Sequence, residues 1–163
     1  MEVWLSGTRD YLLKLEDNLM IGSGRWIADF NESFWDFQIN NLTFNFFIWG
    51  GMRPKGFALS KIAAVLVMPN YKAACFAYVG EPELKQLSAL VSTIQQVSKD
   101  RNIDWSWLVI PHEGAFSPRA IARVEKDDTR ELGIALVDLK SKAIVTSHSY
   151  VGRRMERFIR CFK

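Results

Sequence analysis

Groups that bind metals or act as nucleophiles are scarce in this chain. Two cysteines, Cys75 and Cys161, and two histidines, His112 and His148, are all it holds of either type. There is no CxxC spacing and no histidine pair near either cysteine to complete a zinc site, so a reduced intracellular protein with no bound metal is expected. Long apolar runs are missing as well. No stretch approaches the roughly 18 apolar residues of a membrane span, and Met1-Glu2-Val3-Trp4 has neither the basic segment nor the apolar run of a secretion signal. A soluble cytoplasmic protein without a membrane partner is the expectation. Gly22-x-Gly24 and Gly50-Gly51 lack both the GxxxxGK[ST] and the GxGxxG patterns, which sets aside nucleotide binding of those two kinds.

What is abundant is apolar and aromatic. Hydrophobic residues make up 48% of the 163 positions and aromatic ones 13%, against 24% charged, a globular composition rather than a disordered one. The length suits a single domain over residues 1–163, and six Trp with eleven Phe imply a dense core. Charge is unevenly placed. Residues 140–163 hold seven Lys or Arg and one acid, which leaves fourteen of the 21 bases and seventeen of the 18 acids to the rest of the chain. A positive C-terminal end can face phosphates or solvate a last helix.

Periodicity orders the elements. Thr8 is placed to cap a first helix to about Met20, with Leu12, Leu15, Leu19 and Met20 on one stripe, and Gly22-Ser23-Gly24 stops it. Leu42, Phe44 and Phe46 alternate with Thr43, Asn45 and Phe47 as in a strand, with Asn40-Asn41 as the hairpin turn. Gly50-Gly51 then reads as a loop before the apolar run 62–68, and residues 72–79 as another strand, so 25–80 form an antiparallel meander. Pro82 suits the first turn of a helix carrying Leu84, Leu87, Leu90, Val91, Ile94 and Val97. The strand 105–111, a helix opened by Ser117-Pro118 over 118–130, and the strand 133–138 make a parallel βαβ unit. A short strand, 143–146, precedes a last helix from Tyr150 to about Phe162. There Val151, Met155, Phe158, Ile159 and Phe162 share one face, leaving Arg153, Arg157 and Arg160 on the other.

The fold class is therefore α/β, a mixed twisted sheet flanked by helices. With Gly80-Glu81-Pro82 opening a long helix, followed by Trp107-Leu108-Val109-Ile110-Pro111, by the segment 116–126 that opens the next helix and by Leu132-Gly133-Ile134-Ala135-Leu136-Val137-Asp138, the order resembles the PD-(D/E)xK restriction-endonuclease-like superfamily over residues 60–138. The resemblance implies an Asp at one strand end and a Glu-x-Lys in the next strand, the carboxylates holding Mg²⁺ and the Lys orienting the nucleophile. This chain has Pro69-Asn70 at the first place, and its next strand, Ala73-Ala74-Cys75-Phe76-Ala77-Tyr78-Val79, has no acid and no lysine. A catalytically degenerate member is expected, a nucleic-acid-binding or assembly module rather than an enzyme.

Other placements of chemistry remain open. Glu83-Leu84-Lys85 spells Glu-x-Lys, although in a helix its ends point apart, and Asp29, Glu32 and Asp36 would need to converge to hold Mg²⁺. Either would make a metal-dependent nuclease. His112-Glu113 ends a parallel strand, where loops often build sites; Ser147-His148 has no acid patterned beside it; Trp26, Trp35 and Trp49 can stack bases where exposed. Arg153, Arg154, Arg157 and Arg160, joined by Lys140 and Lys142, are the strongest candidates, since arginines on one helix face can contact successive phosphates of DNA or RNA. A protein-interaction or homo-oligomeric subunit, docking through the aromatic meander, is the reading without nucleic acid.

Overall fold

The computed structural model describes residues 6–51 and 72–162. Six strands form one mixed sheet in the order β1-β2-β3-β4-β5-β6, where β1 is Asp29–Ile39, β2 Leu42–Gly51, β3 Lys72–Ala77, β4 Trp105–His112, β5 Leu132–Asp138 and β6 Ala143–Thr146. The first three strands pair antiparallel, β3, β4 and β5 parallel, and β6 antiparallel to β5. Among the described residues four α-helices flank the sheet: α1 (Ser6–Met20), α2 (Leu84–Asp100), α3 (Pro118–Glu125) and α4 (Tyr150–Ile159). A 3₁₀ turn, Ser23–Trp26, follows α1.

The side each helix takes follows from the connections. The crossovers β3-α2-β4 and β4-α3-β5 step across the sheet in the same direction, and the right-handed rule puts both helices on one face. Leu87, Leu90 and Ile94 of α2 and Ala120 and Val124 of α3 accordingly pack with Phe76, Leu108 and Ile134 in one core layer. The other face is left to α1 and α4, whose Leu12, Leu15, Met155 and Ile159 pack with Cys75, Val109 and Val137. Because both faces are covered, β3 and β5 are continuous apolar runs without polar alternation.

The hairpin departs from simple alternation. Phe34 and Phe37, three residues apart, both stack on Phe47, with ring centroids at 5.9 and 4.9 Å, while Trp35 meets Phe46 on the opposite face. Asp36, in the left-handed region at φ 52°, accounts for the slip in β1. In β2 the slip puts Phe44 with Phe47, and Phe46 with Ile48, correcting the expected Leu42-Phe44-Phe46 face. Asn40, also left-handed at φ 55°, makes the turn to Asn41 as the sequence implied.

Five local expectations change. Thr8 does not cap α1, because the helix is already formed at Ser6 and Thr8 is buried within it. Pro82 precedes α2 and lies outside its first turn: Glu83 is the N-cap, with extended φ and ψ of −63° and 157°. Gly50 and Gly51 are the end of β2, paired with Ala73 and Lys72, and not a loop. The helix α3 stops at Glu125 and α4 at Ile159, short of the expected 130 and 162. The apolar run 62–68 and Pro69-Asn70 lie outside the described residues. The parallel βαβ unit stands, with Ser117 as N-cap of α3 accepting from the Ala120 N–H at 3.3 Å.

The last helix is seated by an unusually close backbone approach. A Cβ on Gly133 would stand 2.8 Å from the Gly152 nitrogen, and one on Gly152 2.4 Å from the Ser147 carbonyl oxygen. Buried serines fix the approach. The Ser147 N–H donates to the Ile134 carbonyl at 2.8 Å, and the Ile134 N–H donates to the Ser147 hydroxyl at 3.0 Å. Ser149 donates to the Leu132 carbonyl at 2.9 Å and, as N-cap, accepts from the Gly152 N–H at 3.0 Å. The single Ser149 proton being committed to Leu132, Ser147 is the donor in their mutual 3.2 Å contact.

Two outcomes test this packing. In Gly152→Ala, helix propensity favours alanine by about 1 kcal/mol, but the new methyl meets a fixed carbonyl, so overpacking of about 1–3 kcal/mol or more wins. The urea midpoint should fall with the m-value unchanged; a midpoint equal to the parent's would contradict the close approach. Asp127, just past α3, is buried and would be raised by that burial. Hydrogen bonds from Arg123, at 2.9 Å, and from the Thr129 N–H, at 3.1 Å, outweigh it and hold the carboxyl below its ordinary value. A depressed folded pKa contributes stability that is present above the unfolded value of about 3.9 and lost as pH falls through the folded one. Asp127→Ala should therefore cost about 1–3 kcal/mol at pH 7 and a smaller difference at pH 2–3, read by denaturation at both pH values.

Candidate nucleic-acid interface

The apolar stripe of α4 decides where its cations go. Val151, Met155, Phe158 and Ile159 are buried against the sheet and α1, so Arg153, Arg154, Arg157 and Arg160 all project to solvent. Three of the four are steadied by neighbours. The Arg154 guanidinium lies 4.8 Å from the Tyr150 ring centroid and that of Arg157 4.5 Å from Phe158. Arg160 pairs with Glu156 one turn back. Arg153 has no ion-pair partner among the described residues. Glu156 is the one acid of the helix, so its outer face is strongly positive.

The lysines do not join this face at its start. Lys140 and Lys142 occupy the β5–β6 turn, where the Asp138 carboxylate accepts from the N–H groups of Lys140 and Ser141 and from the Ser141 hydroxyl. Those bonds, the Ser141 hydroxyl first, hold the Asp138 carboxyl below its ordinary value. The turn is at the C-terminal end of β5, whereas the first turn of α4 sits by Leu132 and Gly133 at the other end. Seven strand residues, about 20 Å, separate the two.

Two features escaped the sequence. Tyr150 is 57% exposed; it follows the N-cap Ser149 and falls off the apolar stripe, the only signal that could have marked it. Between the C-terminal parts of α1 and α4 lies a groove of about 510 Å³, lined among others by Lys14, Asp17, Ile21, Arg157, Arg160 and Phe162. It is shaped by Asn18, whose side-chain amide donates to the Phe158 carbonyl at 2.6 Å and whose carbonyl oxygen accepts from the Ser23 N–H at 3.1 Å. A contact spanning 140 residues of sequence is invisible to local pattern.

The other candidates are committed elsewhere or scattered. Trp49 donates its indole N–H to Glu32 at 2.9 Å and carries Lys72 at 5.3 Å and Arg101 at 5.6 Å over its ring; Trp35 packs on Phe46; the Trp26 side chain lies outside the description. Ser147 is held by backbone, as given above, and His148 beside it is exposed, so they form no nucleophile and base. The half-buried His112 ring rests 5.5 Å from Phe116, and Glu113 is exposed. Glu83 caps α2 with Lys85 exposed in its first turn. Asp29 and Asp36 are most of the length of β1 apart. Among the described residues no three His, Cys, Asp or Glu side chains gather to hold a metal, and β3 has no acid: after Lys72, whose ammonium donates to the Arg101 carbonyl at 3.4 Å, it offers only Ala73, Ala74, Cys75, Phe76 and Ala77. The described residues therefore do not fit the Mg²⁺ site that the nuclease resemblance implies.

Both cysteines belong to the core around Tyr11, which donates to the Ile159 carbonyl at 2.7 Å. Burial raises both thiols, Cys161 to about 11 and Cys75 beyond that, which suppresses the reactive thiolate. In native protein at pH 8, Ellman's reagent should leave Cys75 unmodified and react slowly with Cys161, with two thiols counted after unfolding. Rapid modification of both in the native state would contradict the packing. No helix among the described residues is long and apolar enough to cross a membrane. Compared with protein-family models, with curated proteins and with solved structures, the chain matches none.

Proposed function

We propose that the chain is a nucleic-acid-binding module on a scaffold of restriction-endonuclease-like type from which the usual chemistry has been lost, and that α4 is its contact with DNA or RNA. The observation that carries this reading is the exposure of Arg153, Arg154 and Arg157 on α4 and of Arg160 at its C-cap, on a face with one acid. Arginine suits the task, because its planar fork matches phosphate oxygens and stays charged at every physiological pH. The degenerate part of the reading rests on β3, which has no carboxylate and whose one lysine, Lys72, lies over the Trp49 ring, and on the scatter of the remaining acids. Binding of this kind is dominated by counterion release and falls steeply with salt.

The test is fluorescence anisotropy with labelled oligonucleotides between 50 and 200 mM salt, comparing the parent with an Arg153→Ala, Arg157→Ala double variant. Each phosphate contact removed should lower the slope of log K against log salt by about 0.7–0.9. The double variant is expected to lose about 1.4–1.8 of slope, with affinity at 50 mM down about tenfold or more. Both side chains are exposed, so its thermal midpoint should stay within a few degrees of the parent's. Unchanged affinity and slope would sink the role of α4.

A further inference from the structure

We infer that the nucleic acid taken by this face is single-stranded, with unstacked bases seated at the two ends of α4. The inference rests on the binding role proposed for α4 and narrows its substrate.

A surface that binds duplex needs cations alone, because the duplex presents phosphates and hides the faces of its bases. A surface for single strands adds apolar and aromatic platforms for the bases among the cations. The face of α4 has that second composition. At its N-terminal end Tyr150 is 57% exposed, with the Arg154 guanidinium 4.8 Å from its ring. An exposed tyrosine edged by a guanidinium can take a base on its open side while the charge meets the adjoining phosphate.

At the C-terminal end, the groove between α1 and α4 repeats the combination in concave form. Ile21, 73% exposed, and half-buried Phe162 supply apolar wall, and the Phe162 ring is backed by Tyr11 at 6.0 Å. Lys14, Arg157 and Arg160 supply three positive charges against the single acid Asp17. At about 510 Å³ the groove lies within the range of small-molecule sites, matching a nucleotide unit and far too small for a double helix. The two ends stand roughly 15 Å apart along the ten residues of α4, so one short flexible strand can reach both. An exposed isoleucine and an exposed tyrosine, unexplained by the core, thereby acquire a use beside the arginines.

The experiment measures the full chain by anisotropy against labelled 20-nucleotide poly-dT, 20-nucleotide poly-U and a 20-base-pair duplex at one salt concentration. Both single strands should bind at least about tenfold more tightly than the duplex. Tyr150→Ala should weaken single-strand binding about five- to tenfold, and an Ile21→Ser, Phe162→Ala double variant by a similar factor, with duplex binding little changed. Since Phe162 packs on Tyr11, Ile21→Ser alone serves if the double variant is unfolded by circular dichroism. Equal affinity for single strands and duplex, or single-strand binding indifferent to Tyr150→Ala and Ile21→Ser, overturns the inference while leaving α4 as a nucleic-acid contact. Absence of binding to all three probes at 50 mM salt overturns both.

Discussion

The backbone contact between Gly133 on β5 and Gly152 on α4 is the constraint on which the outer surface depends. Neither position tolerates a Cβ without moving fixed atoms, and the Ser147 and Ser149 hydroxyls satisfy the polar groups that so close an approach would otherwise strand. A helix held by its first turn against a strand has its rotation set as well as its distance. That rotation turns Met155 and Ile159 inward and the arginines outward, so a contact between two side chains of no size fixes the direction of four charges.

The middle of the sheet was the most legible part of the chain. Strands buried on both faces are written as unbroken apolar runs, and Trp105–His112 and Leu132–Asp138 could be recognised along with the helix between them. The ends of elements were less so. Glu83 rather than Pro82 begins α2 because the backbone turns helical only after an extended cap, and Gly50-Gly51 looks like a loop although β2 needs it to let Asp29 come close. The hairpin misled by half a period, since Phe34 with Phe37 on β1, around left-handed Asp36, and Phe44 with Phe47 on β2 share a face at a spacing of three, which a pattern of twos does not record.

The candidate interface divides along the same line. The four arginines could be placed because helical spacing puts Arg153, Arg154 and Arg157 away from Val151, Met155 and Ile159 within one element, with Arg160 following as its C-cap. Lys140 and Lys142, near in sequence, are far in space because β6 carries the chain back along β5 before α4 begins. Conversely Lys14 and Ile21, at the other end of the sequence, come beside Arg157 and Phe162 through the Asn18 bond to the Phe158 carbonyl. Proximity created by topology leaves no periodic mark, whereas proximity created by a helix turn does.

A stack of rings joins the core to the charged face. Trp107 on β4 lies against Phe158 at 5.8 Å, nearly parallel, and the Arg157 guanidinium covers the outer side of Phe158 at 4.5 Å. A flexible arginine loses up to about 2 kcal/mol of rotamer freedom when it is fixed on a ligand. One already lying on a ring, itself wedged on a tryptophan, has given up part of that freedom in folding, so less is lost when a phosphate arrives. Arg154 on Tyr150 and Arg160 on Glu156 are pre-ordered by the same logic with weaker support, since those partners are themselves exposed or half-exposed. In the proposed binding role, the order in which the arginines should dominate therefore follows the depth of what lies beneath them, with Arg157, anchored through Phe158 to the sheet, ahead of the two that rest on surface side chains.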